Sequence, residues 1–117
     1  IAAQFSSRPR FGQLTSILAG VIENNISEET IVRTKRTMAR HSERLAAALQ
    51  AKLPRASLQD CAWAVAMIGT IVAGMWPSAF PSPIAAQVLA REEFASTRPN
   101  IGRDLPRAAR ALLASIA

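Results

Sequence analysis

Hydrophobic residues recur every three or four positions along most of the chain, and that spacing predicts α-helices. From Pro9 to about Asn25, the residues Phe11, Leu14, Leu18, Val21 and Ile22 fall at helical intervals. Pro9 suits a first turn, where its missing N–H would have had no partner. Ser27 then stands as an N-cap, with Glu28 and Glu29 where the helix dipole favours negative charge and Ile26 placed to staple onto Ile31. The helix it opens is predicted over 28–53, ended by Pro54. Ile31, Thr34, Met38, His41, Leu45 and Leu49 form one stripe of it, and Arg33, Arg36, Arg40 and Arg44 lie on the opposite face. The pattern is that of an amphipathic helix with one buried side.

A third helix is predicted over 57–76, opened by Ser57 with Asp60 three residues on as a capping box and closed by Pro77. Cys61 to Trp76 carries no charge, and a helix that is apolar all round is buried all round. This run of 16 residues is short against the ~20 that a bilayer requires. The expectation is a helix sandwiched between its own domain and a second copy. Ala62, Ala66, Gly69 and Gly74 are small enough for another helix to approach closely. A turn-rich stretch, Pro77 to Pro83, leads to a helix over 83–97, with Ser82 as cap and Pro83 at its first position. The last helix is predicted over 101–116, with Ile101, Leu105, Ala108, Leu112 and Ile116 as its apolar stripe. Pro106 either kinks this helix, or the helix starts near Asp104 and holds Pro106 in its first turn. These segments make an all-α chain, a bundle of about five helices in one domain over 1–117.

Composition narrows the role. Half the residues are hydrophobic and 19% are charged, which describes a globular chain. The net charge of +6 comes from 14 Lys and Arg against 8 Asp and Glu. No run of five like charges occurs, the arginines are spread over several helices without interleaved aromatics, and no recognition-helix module stands out. The cluster Arg33 to Arg44 therefore reads as a solvated face, and nucleic-acid binding by this segment is not expected. Cys61 is the one cysteine, so no intrachain disulfide forms. Ile1 to Arg10 is polar and basic, unlike a signal peptide, and the expected location is cytoplasmic.

Catalysis has little to stand on. His41 and Cys61 are single, and no paired carboxylates, metal-ligand cluster or glycine-rich phosphate loop is found, so neither an enzyme, a metal nor a cofactor is expected. The better lead is a pocket between helices for a small hydrophobic or aromatic molecule. Its candidate lining is Leu18 and Ile22 of the first helix, Thr34, Met38 and His41 of the second, and Trp63, Met67 and Trp76 of the third, with Met75 beside them. The alternative for each aromatic and methionine is that it fills the core, the commoner use of such residues. For His41 the choice is between a core carbonyl and a ligand as hydrogen-bond partner.

The order of features resembles the C-terminal domains of TetR-family regulators. Gly20-Val21-Ile22-Glu23-Asn24-Asn25 followed by Ile26-Ser27-Glu28-Glu29-Thr30 is similar to that family, as is the long helix with Thr34-Lys35-Arg36 ending at Leu53-Pro54. So are the apolar helix closing on Ala73-Gly74-Met75-Trp76-Pro77, the segment with Glu92-Glu93-Phe94, and the last helix with Arg103-Asp104-Leu105 and Ala111-Leu112-Leu113. The resemblance implies a homodimer joined through a four-helix bundle of the helices at 57–76 and 101–116 from each copy. Ala62, Ala66, Gly69, Val72, Ala73, Leu105, Ala109, Leu112 and Ile116 would then lie at the interface. It also implies that an effector bound within each subunit controls operator binding by N-terminal helix-turn-helix domains. Nothing before Pro9 is expected to form such a domain, so operator DNA would be reached only through a part this chain lacks, and no membrane is involved. A ligand-free helical dimerisation module is the competing expectation.

Overall fold

The computed structural model of the chain describes Arg10, Gln13, Leu14, Ile17, Val21 and residues 24–117. The helix expected over 9–25 lies mostly outside the described residues, and of its apolar stripe Leu14 and Val21 are exposed. The described elements are α1 (Glu28–Lys52), α2 (Leu58–Ala79), α3 (Pro83–Leu89), a 3₁₀ turn over Glu92–Thr97, and α4 (Ile101–Ile116). There is no strand among the described residues, and the chain is all-α.

Local chemistry explains each start. The Ser27 hydroxyl accepts from the Thr30 N–H, with Glu28 and Glu29 in the first turn of α1. At α2 the Ser57 hydroxyl accepts from the Asp60 N–H at 3.0 Å and donates to the Asp60 carboxylate at 2.7 Å. The Asp60 side chain thus meets the cap's hydroxyl, where a capping box would use the cap's own N–H. At α4 Asn100 accepts from the Arg103 N–H, and Asp104 reaches back to accept from the Asn100 N–H, both at 3.0 Å. Arg103 also donates two hydrogen bonds to Asp104, at 2.7 and 2.9 Å. Those bonds, and then the Asn100 N–H, hold the Asp104 carboxyl down at about 2.

Pro77 departs from expectation, while Pro106 takes one of its two expected placements, inside a helix over Ile101–Ile116. Pro77 does not end α2, which runs on to Ala79 and closes where the Phe80 N–H bonds the Trp76 carbonyl at 2.9 Å. Pro106 lies in the second turn of α4, because Asn100 caps that helix at Ile101 and not near Asp104. A helix tolerates each proline at the loss of one backbone bond, and here packing holds the flanking turns. The segment 83–97 is not one helix. Arg98 donates to the carbonyls of Leu89, Ala90 and Arg91 at 2.6, 2.8 and 3.0 Å, taking acceptors that a continuing helix would have used.

α2 is the centre of the arrangement, with α1 packed on it as one antiparallel neighbour and α4 as another. Its buried residues Cys61, Ala64, Val65, Ile68, Val72 and Trp76 all lie on one side. Ile68, Val72 and Trp76 close around Leu105 of α4, with Ile101, Ala109 and Leu112 packed against them. At the other end Ala46, Ala56 and Cys61 form a second cluster beside Leu49, Leu53 and Ile116. The α1 stripe is partly covered at its two ends and open in the middle. Ile31, Thr34 and Leu49 are half-buried, while Met38, His41 and Leu45 are exposed.

Candidate functional site

The positions that would serve as a site fall on three surfaces of the helices. The first is the open side of α2. Ala62, Trp63, Ala66, Thr70, Gly74 and Pro77 are exposed there, with Gly69 and Ala73 half-buried beside them. None of these is charged, and they face away from the chain's own core. A side chain built at Gly69 or Gly74 would meet nothing within 4 Å, so the room beside both glycines is not filled by the described residues. Only 28% of the apolar stretch of α2 is buried. An uncharged helix face of this length is a candidate interaction surface, because water solvates it poorly.

Of the residues expected at a dimer interface, Ala62, Ala66, Gly69 and Ala73 share this open side. Val72 and Leu105 do not. Both are 0% exposed and pack in one cluster, so the chain's own core takes up the surface assigned to a second copy. Ala109, Leu112 and Ile116 are half-buried against the α2 clusters and keep only an edge free. The reason is helical phase: Val72 and Ala73 are neighbours in sequence but about 100° apart around α2.

The expected effector lining is divided. Leu18 and Ile22 lie outside the described residues. Trp76 is buried in the core at 4% exposure, whereas Trp63 is 46% exposed on the other side of α2. These two indoles are about 140° apart around the helix and do not converge. Met67 and Thr34 are half-buried, and Met38 and His41 are exposed. His41 therefore needs neither a core carbonyl nor a ligand to satisfy it, since water can.

A second surface, missed by the sequence reading, is a solvent-open groove of about 570 Å³ at the start of α1, lined by Glu28, Glu29, Val32, Arg33 and Arg36. Its charged lining differs from the apolar cavity expected, and no expected effector residue is among those five. The sequence signal was present in the alternation of Glu28-Glu29 with Arg33 and Arg36. The third surface is the arginine face of α1, where Arg33, Arg36, Arg40 and Arg44 are all exposed.

No group of three or more potential metal ligands occurs among the described residues. Among them α2 alone, at 22 residues, is long and apolar enough to cross a membrane by length and composition. The expectation that its apolar stretch is too short is therefore corrected: continuation through Pro77 and the turn at Leu58 lengthen the helix. Packing is the better criterion, and one side of α2 is the core of this chain.

The sequence matches the family described as Tetracyclin repressor-like, C-terminal domain, over residues 1–116. The chain belongs to that family, whose domains are parts of regulators and not enzymes. Neither a curated protein nor a solved structure matches it.

Proposed function

We propose that these 117 residues act as one dimerisation and effector-binding domain of a transcriptional regulator, a soluble cytoplasmic repressor of bacterial type. DNA binding would be performed by a helix-turn-helix domain outside these residues. The observation that carries the dimer is the uncharged open side of α2, from Ala62 to Pro77, on a helix whose other side is the chain's own core. Pairing of α2 and α4 with their copies in a four-helix bundle would cover that side. The control would be linkage, in which an apolar effector shifts the separation of the DNA-binding domains by as much as it prefers one conformation.

Sedimentation of the purified chain without detergent tests the dimer. The wild type should sediment as a dimer, and Ala66→Glu, which places a charge on the open side, should sediment as a monomer. A monomeric wild type overturns the reading, and a requirement for detergent would return α2 to a membrane.

A ligand-free dimerisation module is the second reading, favoured by the division of the expected lining between the core at Trp76 and the surface at Met38, His41 and Trp63. Thermal-shift measurements with a panel of apolar and aromatic compounds separate the two. A saturable stabilisation supports the effector, and a flat response across the panel supports the module.

A further inference from the structure

The reading of Arg33 to Arg44 as an ordinary solvated face meets a difficulty in the structure. Solvated helix faces usually intersperse opposite charges at three- and four-residue spacing, where they pair. Here Arg33, Arg36, Arg40 and Arg44 lie within an arc of about 80° and along about 16 Å of α1, and all four are exposed. The ion pairs among the described residues are Arg91–Glu93 and Arg103–Asp104, so no described carboxylate lies within 4 Å of any of the four. Glu29, four residues before Arg33, lies on the ladder's own arc and Glu43, three after Arg40, lies at its edge, yet neither comes within 4 Å of a ladder guanidinium. Arg40 donates to the neutral Thr37 hydroxyl at 3.3 Å, a long contact that leaves its charge without a counter-ion.

We propose that this arginine ladder binds the phosphate backbone of duplex DNA, adding a sequence-independent contact from the regulatory domain itself. The steps along the ladder are three or four residues, about 4.5 to 6 Å of rise. With long side chains to adjust, they suit successive phosphates on one strand. Guanidinium groups present paired donors that match phosphate oxygens, and such contacts fix position without reading sequence. A membrane surface fits less well. An interfacial helix sets several large apolar residues to insert beneath its basic ones, whereas Thr37, Ala47 and Ala51 neighbour this ladder, Val32 is the one large exposed apolar residue of α1 beside it, and exposed Met38 and Leu45 lie about 140° or more from its centre. The contact goes beyond the dimer and effector reading and does not depend on it.

Fluorescence anisotropy of the 117-residue chain with a short labelled duplex of random sequence, across about 50 to 200 mM salt, tests this. Four phosphate contacts predict a log–log salt slope of about −3.6, from about −0.9 for each phosphate. The quadruple variant R33Q/R36Q/R40Q/R44Q should bind at least about tenfold more weakly at the low-salt end and lose most of the slope. Arg36→Gln alone should reduce the slope by about 1. R107Q/R110Q, which removes charge from α4, serves as the control and should leave the slope unchanged, with circular dichroism confirming the fold of each variant. The proposal is overturned by no duplex binding at low salt, by an unchanged slope in the quadruple variant, or by an equal effect in the control. Binding to phosphatidylserine-rich vesicles without binding to the duplex would overturn it as well.

Discussion

Trp76 and Phe80 stand one turn apart across Pro77, with ring centroids 4.4 Å apart and planes tilted by 30°. Trp76 is 4% exposed and closes the core over Leu105, while Phe80 is 52% exposed and ends the helix. The pair joins the core to the segment that follows. It also accounts for α2 continuing past Pro77: the Phe80 N–H bonds the Trp76 carbonyl while the two rings pack, which supports the turn whose proline lacks a donor.

The two aromatics should differ in what their removal costs. Trp76→Ala is expected to destabilise by about 3–5 kcal/mol through a cavity in the core. Phe80→Ala should cost about 1 kcal/mol, the scale of an aromatic pair at a surface. Urea unfolding of both variants, with equal m-values, checks the ratio. Equal costs would mean that Phe80 is as deeply packed in solution as Trp76.

Leu105 is the residue through which α4 is held. Its side chain is 0% exposed among Ile68, Val72 and Trp76, so Leu105→Ala should cost about 2–5 kcal/mol. Gly102→Ala, one turn before it, meets only the Asn100 side chain at 3.5 Å and should stabilise α4 slightly by restricting the unfolded chain. Thermal unfolding of the two variants should move in opposite directions.

Arg98 is a staple of the α3 region. Its guanidinium holds three carbonyls, those of Leu89, Ala90 and Arg91. Arg98→Met keeps the length and removes every donor, so the segment from Leu89 to Arg98 should become cleavable by proteases while the α2–α4 core stays protected. Limited proteolysis with mass mapping reads this directly. Cleavage sites unchanged from the wild type would show that the three bonds add no rigidity.

Acid should act through Asp104. Its carboxyl titrates at about 2 in the folded chain, lowered first by the Arg103 hydrogen bonds and then by the Asn100 N–H. In the unfolded chain it returns towards the ordinary value near about 3.9. A carboxyl depressed on folding contributes stability that is fully present above the unfolded value and is lost as pH falls towards the folded one. Between about pH 4 and pH 2 the wild type should therefore lose stability that Asp104→Asn has already lost at neutral pH. Melting curves across that window should converge. Parallel curves would remove Asp104 as the acid-sensitive group of this helix cap.

Much of the architecture is legible in the residues alone, because helix starts are local events. Ser27, Ser57 and Ser82 each cap a helix through their own hydroxyl, and the partner N–H lies three residues on. The apolar run from Cys61 to Trp76 likewise announced a helix without a water-facing side. Helix ends were harder to read. Pro77 and Pro106 are breakers by local rule, yet both sit inside helices whose flanking turns are held by packing against distant residues. The break after Leu89 depends on Arg98, nine residues further along, and no periodicity marks it.

Side-chain direction was the other gap. By itself the sequence determined that the chain is helical, that α2 is uncharged and that α1 carries arginines on one face, since each depends on residue type and helical phase. Only the tertiary structure decided which side of α2 closes against α4. That choice sends Trp76, Val72 and Leu105 into the core and leaves Trp63, Ala66 and Gly74 open. Periodicity ranks the faces of an amphipathic helix, but a helix that is apolar all round offers no contrast to rank, and its inner face is set by what packs against it.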